Sequence, residues 1–177
     1  MDLKCMPPAR IGLMVTAYFF GFAINGLFFT IPDRIGRKKT ILICMIVNCI
    51  AQTVIIMVPT FLMRTLMFWV LGLTQLKVGV SYVWLSESVG FPYKSTAFTM
   101  INIFDGMTMA IVCIYYMTVS RNWLWLCLFF TIISYIASFT ILLCPESPRW
   151  HLVNGRTSEA IKALNHIAEM NGRFKED

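Results

Sequence analysis

The sequence predicts an all-α membrane protein with about five transmembrane helices and a short C-terminal amphipathic helix. Three observations carry that expectation. Of 177 residues, 58% are hydrophobic and 14% charged, against roughly 45–50% and 25% in soluble domains. The apolar residues form runs of about the 20 residues that a ~30 Å hydrocarbon layer requires. None of these runs alternates polar with apolar residues, so helices rather than barrel strands must satisfy the backbone in lipid.

The elements follow in order. Residues 1–10 form a leading segment, and the bundle occupies 11–144. A first span near 11–31 follows Pro7 and Pro8 and ends at the polar string Pro32–Lys39, PDRIGRKK. A second, 40–58, is stopped by Pro59, and a third covers 61–86 before the breakers Gly90 and Pro92. The fourth, 96–119, turns at Ser120–Trp123 into the fifth, 123–143. Residues 145–177 lose membrane character and form a linker. Within it, 157–171 reads as an amphipathic helix: Thr157 is a cap and Glu159 suits the first turn. Ile161, Leu164, Ile167 and Ala168 recur at helical spacing, and Gly172 is a stop. Such a helix lies on the membrane surface or against the bundle. The first run is too long for a signal-peptide core and ends in a basic cluster, so no cleavable leader is expected.

The net charge of +6 does not point to nucleic acid, because the charges collect in the short segments between apolar runs. Spans joined by short turns alternate sides. Ten of the Lys and Arg residues then fall on the side of PDRIGRKK and the tail, and four, Lys4, Arg10, Arg64 and Arg121, on the other. The positive-inside bias places the former side in the cytoplasm and the N-terminus outside or in a lumen. Five of six cysteines sit in or beside apolar runs, and no CxxC pair or nearby His offers a metal site. His151 and His166 lie in the polar tail. No cofactor is expected, and no nucleophile–base pair or metal cluster suggests an enzyme.

Two charges fall inside spans: Lys77 in the third and Asp105 in the fourth. A central Lys costs roughly 2.5–3.5 kcal/mol, and apolar residues return about 0.3–0.6 kcal/mol each. Eleven Leu, Phe and Val residues between Leu62 and Leu85 therefore outweigh Lys77 by only a modest margin, so it is not expected to face lipid. Either Lys77 and Asp105 pair structurally, or one or both line a solute path. Asn25, Asn48, Gln52, Gln75 and Asn102 add polar groups at membrane depth and favour a hydrated cavity. The solute-path candidates are Lys77, Asp105, Asn25, Gln52, Gln75 and Asn102.

The loops carry a more specific pattern. Asp33-Arg34-Ile35-Gly36-Arg37-Lys38-Lys39 resembles the D-R-x-G-R-[RK]-[RK] loop between the second and third helices of major-facilitator transporters. Pro145-Glu146-Ser147-Pro148-Arg149-Trp150 resembles the segment after the sixth helix of the organic cation and anion transporters, much of it shared by sugar porters. Ser86–Gly90 is similar to that family's TEFVG segment, and Asp2-Leu3-Lys4-Cys5 to the end of its large external loop. Gly155-Arg156, Glu159-Ala160 and Ile167–Gly172 continue the pattern. Two departures stand out. Phe29 occupies a position that is usually Gly, four residues before the Asp. Arg64 opens the third span here, yet Phe68 stands where R-x-x-x-G has its Gly, and the next Gly is Gly72.

The resemblance implies most of one major-facilitator half-bundle: helices two to six and the start of the central cytoplasmic linker. It implies alternating-access transport of small organic ions. Asp33, Arg34, Gly36, Arg37, Glu87, Glu146 and Arg149 would form a cytoplasmic latch, with Asp33 facing a helix end of the opposite half. Implied partners are membrane lipid, a small organic solute and a second transporter half or other membrane subunits. The alternatives are a non-transporting accessory subunit or an incomplete gene product.

Overall fold

The computed structural model describes residues 7–170. The Asp2–Cys5 string, Asn171, Gly172, Arg173 and Lys175 lie outside the described residues. Among those described, all regular structure is helical, and five stretches are long and apolar enough to cross a membrane.

Helix α1 (Pro8–Asn25) starts with proline in its first turn, where a missing N–H costs nothing. It passes through a 3₁₀ turn (Gly26–Phe28) into the short α2 (Ile31–Ile35), so part of the polar string is itself helical. Gly36 then adopts φ 116°, open to glycine but strained for other residues, and swings the chain into α3 (Arg37–Met57). Val58 is extended, as a residue before proline should be, and ends α3.

The third apolar run, read from sequence as one helix, is two: α4 (Phe61–Leu73) and α5 (Leu76–Ser88). The break is local chemistry rather than proline. The Thr74 hydroxyl donates to the Leu71 carbonyl at 2.9 Å. The Lys77 and Val78 amides turn to acceptors three residues back, at 3.3 and 3.0 Å, which tightens the turn.

Helix α6 (Lys94–Ile114) follows a 3₁₀ turn and ends in a π turn over Tyr115–Val119. Asn122 caps α7 (Trp123–Leu143) by accepting from the Leu124 amide at 3.1 Å. Ser147 caps α8 (Pro148–Val153) by accepting from Trp150 N at 3.3 Å, with Pro148 at the first position. Helix α9 (Thr157–Met170) completes the tail. Its first helical bond runs from the Ala160 amide to the Arg156 carbonyl, so Arg156 is the cap and Thr157 the first helical residue.

Packing follows membrane rules, in which small residues and hydrogen bonds replace a solvent-driven core. Helix α1 lies against α4 where two glycines meet backbone: a Cβ on Gly21 would collide with the Trp69 carbonyl, and one on Gly72 with the Tyr18 carbonyl. Gly72 thus supplies the close approach that the Phe68 position does not. The Phe29 ring in turn rests on Gly79, where a Cβ would stand 3.0 Å from the ring edge.

Helix α3 is central. Its Ile41 joins Leu76 and Val80 in a buried cluster flanked by Trp84 and Ile141. Its polar side chains tie it on two sides: Asn48 Nδ2 donates to Thr74 Oγ1 at 3.2 Å, Cys49 Sγ lies 3.6 Å from Ser138 Oγ, and Thr53 and Tyr135 hydroxyls are 3.1 Å apart. Such interhelical bonds are worth about 0.6 kcal/mol each on average. The outer faces are apolar and exposed, with Phe19, Phe20, Ile43, Ile50, Phe104 and Phe139 about half exposed or more, as lipid contact demands.

Candidate functional site

Two places gather the charged residues. The first is one end of the bundle, where the α2–α3 turn, the end of α5 and the start of α8 converge. Glu87, with a side chain 3% exposed, receives Arg37 Nη2 at 3.0 Å, and its other oxygen accepts from Ser147 Oγ at 2.6 Å. Arg149 approaches the same carboxylate at 3.9 Å. Arg37 also reaches Asp33 at 3.4 Å, although that carboxylate is 68% exposed. A buried carboxylate survives only when paired and hydrogen-bonded, and Glu87 is both.

Glu146 is held by backbone amides. Its Oε1 accepts from the Lys38 amide at 2.8 Å and the Ser147 amide at 3.2 Å. Lys38 is the second residue of α3, so its N–H lacks an intrahelical acceptor. A carboxylate there meets both an orphan donor and the positive end of the helix dipole. Gly36 makes room: a Cβ on it would lie 2.8 Å from Glu146 Oε2. Trp150 closes the corner by donating from its indole to the Asp33 carbonyl at 2.9 Å.

Sequence reading missed Ser147, Trp150 and the Lys38 amide. Ser147 was findable, since Ser before Pro is a helix-start signal. The structure brings Asp33, Gly36, Arg37, Glu87, Glu146 and Arg149 together at this end. Arg34 is exposed and takes no part in the network among the described residues.

The second place is at membrane depth. Lys77 of α5 and Asp105 of α6 line one cavity of about 370 Å³, with Ser81, Tyr82 and Ile101 among its walls. No ion pair joins the two among the described residues. A neighbouring cavity of about 490 Å³ shares Ile41, Ser81, Ile101 and Ile141 with it and reaches Cys144, Pro145 and Ile167 of the tail. The second cavity thus runs from the shared residues to Ser88 and Pro145, the chain neighbours of Glu87 and Glu146.

The other polar candidates do not line this cavity. Asn102 turns back to donate to the Phe98 carbonyl at 2.8 Å, and Gln75 stands at the α4–α5 break. Asn25 is 3% exposed, and its Oδ1, like Gln52 Oε1, is buried without a hydrogen-bond partner.

The sequence profile of the Major Facilitator Superfamily covers residues 4–171. The chain belongs to the Major Facilitator Superfamily. Its relatives agree with the organic-ion-transporter resemblance of its loops. It is 27% identical to solute carrier family 22 member 1 of Oryctolagus cuniculus over 98% of this chain and 31% of the relative. It is 26% identical to human solute carrier family 22 member 2 over 97% of this chain and 31% of the relative. It is also 29% identical to organic cation/carnitine transporter 4 of Arabidopsis thaliana, over 97% of this chain and 33% of the relative. The chain thus spans about a third of the length of these major-facilitator relatives.

Proposed function

We propose that this chain builds most of one half of a transporter that moves small organic ions by alternating access. The observation that carries the reading is the cavity shared by Lys77 and Asp105 without an ion pair between them. Charges inside a span are costly and mark solute or ion paths when they face a cavity. A Lys and an Asp on facing helices offer a solute one partner of each sign. The Arabidopsis relative's name, an organic cation/carnitine transporter, supports organic ions as the class.

In this reading the ionic end is cytoplasmic, as the positive-inside bias expects, and its network latches that side. Asp33, Arg37, Pro32 and Gly79 line a cleft of about 290 Å³ beside Phe29. The exposed Asp33 carboxylate there seats the positive end of a helix from the opposite half. Arg37, Glu87 and Arg149 bias the equilibrium between the inward-open and inward-closed states rather than touch solute.

The test is solute uptake by cells expressing the protein from its native transcript. Radiolabelled organic cations, anions and zwitterions are offered separately, and accumulation is normalised to membrane protein. Saturable uptake of one class, strongly reduced in Asp105→Asn, is expected. Absence of saturable uptake for every class, with the protein present in the membrane, would sink the reading and favour a non-transporting subunit.

A further inference from the structure

The break between α4 and α5 lies just before the charge that lines the cavity. Lys77 is the second residue of α5, two positions after Gln75. The backbone there is wound more tightly than an α-helix. Thr74 and Gln75 have ψ of −2° and −10°, against about −42° in a regular helix. The amides of Gln75, Lys77 and Val78 each bond the carbonyl three residues back, at 3.2, 3.3 and 3.0 Å.

A residue in such a turn advances the chain by about 120° rather than about 100°. Three of them rotate α5 by ~60° relative to an unbroken helix. At a helix radius of ~5–6 Å, that carries each side chain of α5 through about one radius. The rotation decides which residues face α6. In the observed register, Lys77, Val78, Ser81 and Tyr82 share one face and line the cavity with Asp105. Tyr82 also stacks on Phe98 of α6, with ring centres 5.7 Å apart.

One hydroxyl selects this register. In an unbroken helix the Leu71 carbonyl would accept from the Gln75 amide. Here the Thr74 hydroxyl donates to that carbonyl at 2.9 Å, and the Gln75 amide turns to Gly72. The hydroxyl is oriented toward Leu71 because its oxygen accepts from Asn48 Nδ2 of α3 at 3.2 Å. Thr74 and Asn48 are both buried, each 5% exposed.

We infer that Thr74 and Asn48 are positioning residues for Lys77. They hold the break open and so keep Lys77 on the cavity side of α5, without touching solute themselves. Without the hydroxyl, the Leu71 carbonyl is open to the Gln75 amide, the break anneals, and Lys77 swings out of line with Asp105. The consequence for uptake rests on the transport reading above; the positioning does not.

The test labels Lys77→Cys in membranes with a small methanethiosulfonate and reads the rate at residue 77 by peptide mass spectrometry. Adding Thr74→Val removes two hydrogen bonds, which shifts the local equilibrium by about 30-fold, so labelling should slow about threefold or more. Asn48→Leu removes one bond and should slow labelling less. Thr74→Ser keeps the hydroxyl and should label at the parent rate. Thr131→Val is the control. Thr131 is also buried and donates to a carbonyl of its own helix, Cys127 at 2.7 Å, but lies within the unbroken α7. Its loss should leave labelling unchanged.

Labelling at the parent rate in Thr74→Val would overturn the proposal, as would equal slowing in Thr74→Ser or Thr131→Val. If Thr74→Val fails to reach the membrane, Asn48→Leu/Thr74→Val takes its place with the same expectation, since it leaves no orphaned donor. Uptake by Thr74→Val with Lys77 intact separates the two readings. Slowed labelling with unchanged uptake upholds the positioning and counts against the transport reading alone.

Discussion

The two charged regions of this molecule handle charge in opposite ways. At the ionic end, Glu87 is almost fully buried and meets Arg37 at 3.0 Å and Ser147 at 2.6 Å, while Glu146 caps α3 through the Lys38 amide. At mid-span, Lys77 and Asp105 share a cavity with no ion pair between them. A buried charge that is fully paired holds elements together. One that faces a cavity unpaired keeps its binding capacity for something else. The first region should therefore answer to stability measurements and the second to solute.

Substitutions can break that contrast, and Glu87→Ala should do the most. It leaves the half-buried Arg37 guanidinium without its nearest carboxylate and frees the Ser147 hydroxyl, and breaking a buried pair costs about 3–5 kcal/mol. A fall in the detergent melting point of roughly 6–20 °C follows from that range. A fall no larger than that of a surface substitution would mean the pair is not structural.

Gly72→Ala should come next. Its Cβ would strike the Tyr18 carbonyl, so α1 and α4 must separate, at about 1–3 kcal/mol. Disulfide trapping between cysteines introduced on the two helices should slow in this variant, and an unchanged rate would contradict the close approach.

Glu146→Ala removes the cap from α3 and should cost about 1–2 kcal/mol. Glu146→Gln keeps an acceptor oxygen and should recover much of the loss. Equal losses in the two variants would show that charge, not the hydrogen bond, carries the effect.

Asp33→Lys should have the smallest effect on melting. Its pair with Arg37 is exposed, and such pairs are worth about 0–1 kcal/mol. Transport should nevertheless slow, because the exposed carboxylate acts on the state equilibrium. Equal fractional losses of uptake and stability would count against a latch role.

The same contrast explains what was legible in the sequence. The five apolar runs were readable because lipid demands unbroken hydropathy, and the loop strings because they are contiguous. The break at Thr74–Gln75 was not, since it arises from hydroxyl and amide bonding rather than from a breaker residue. The Glu146 cap was not legible, because nothing local says that its carboxylate lies over the start of α3, more than a hundred residues earlier. Lys77 and Asp105 were each conspicuous as intramembrane charges. Their meeting in one cavity depends on how α5 faces α6, which the periodicity of either helix leaves open. Gly72 is displaced from the usual spacing in the sequence, yet it makes the contact with α1.

The most direct test compares Lys77→Met with Glu87→Ala, measuring uptake and melting point on the same preparations. Lys77→Met should abolish saturable uptake and leave the melting point unchanged or higher, since it removes an intramembrane charge without breaking an ion pair. Glu87→Ala should lower the melting point sharply. If Lys77→Met transports normally, or melts as early as Glu87→Ala, then Lys77 is a structural charge and the division between lock and cavity is wrong.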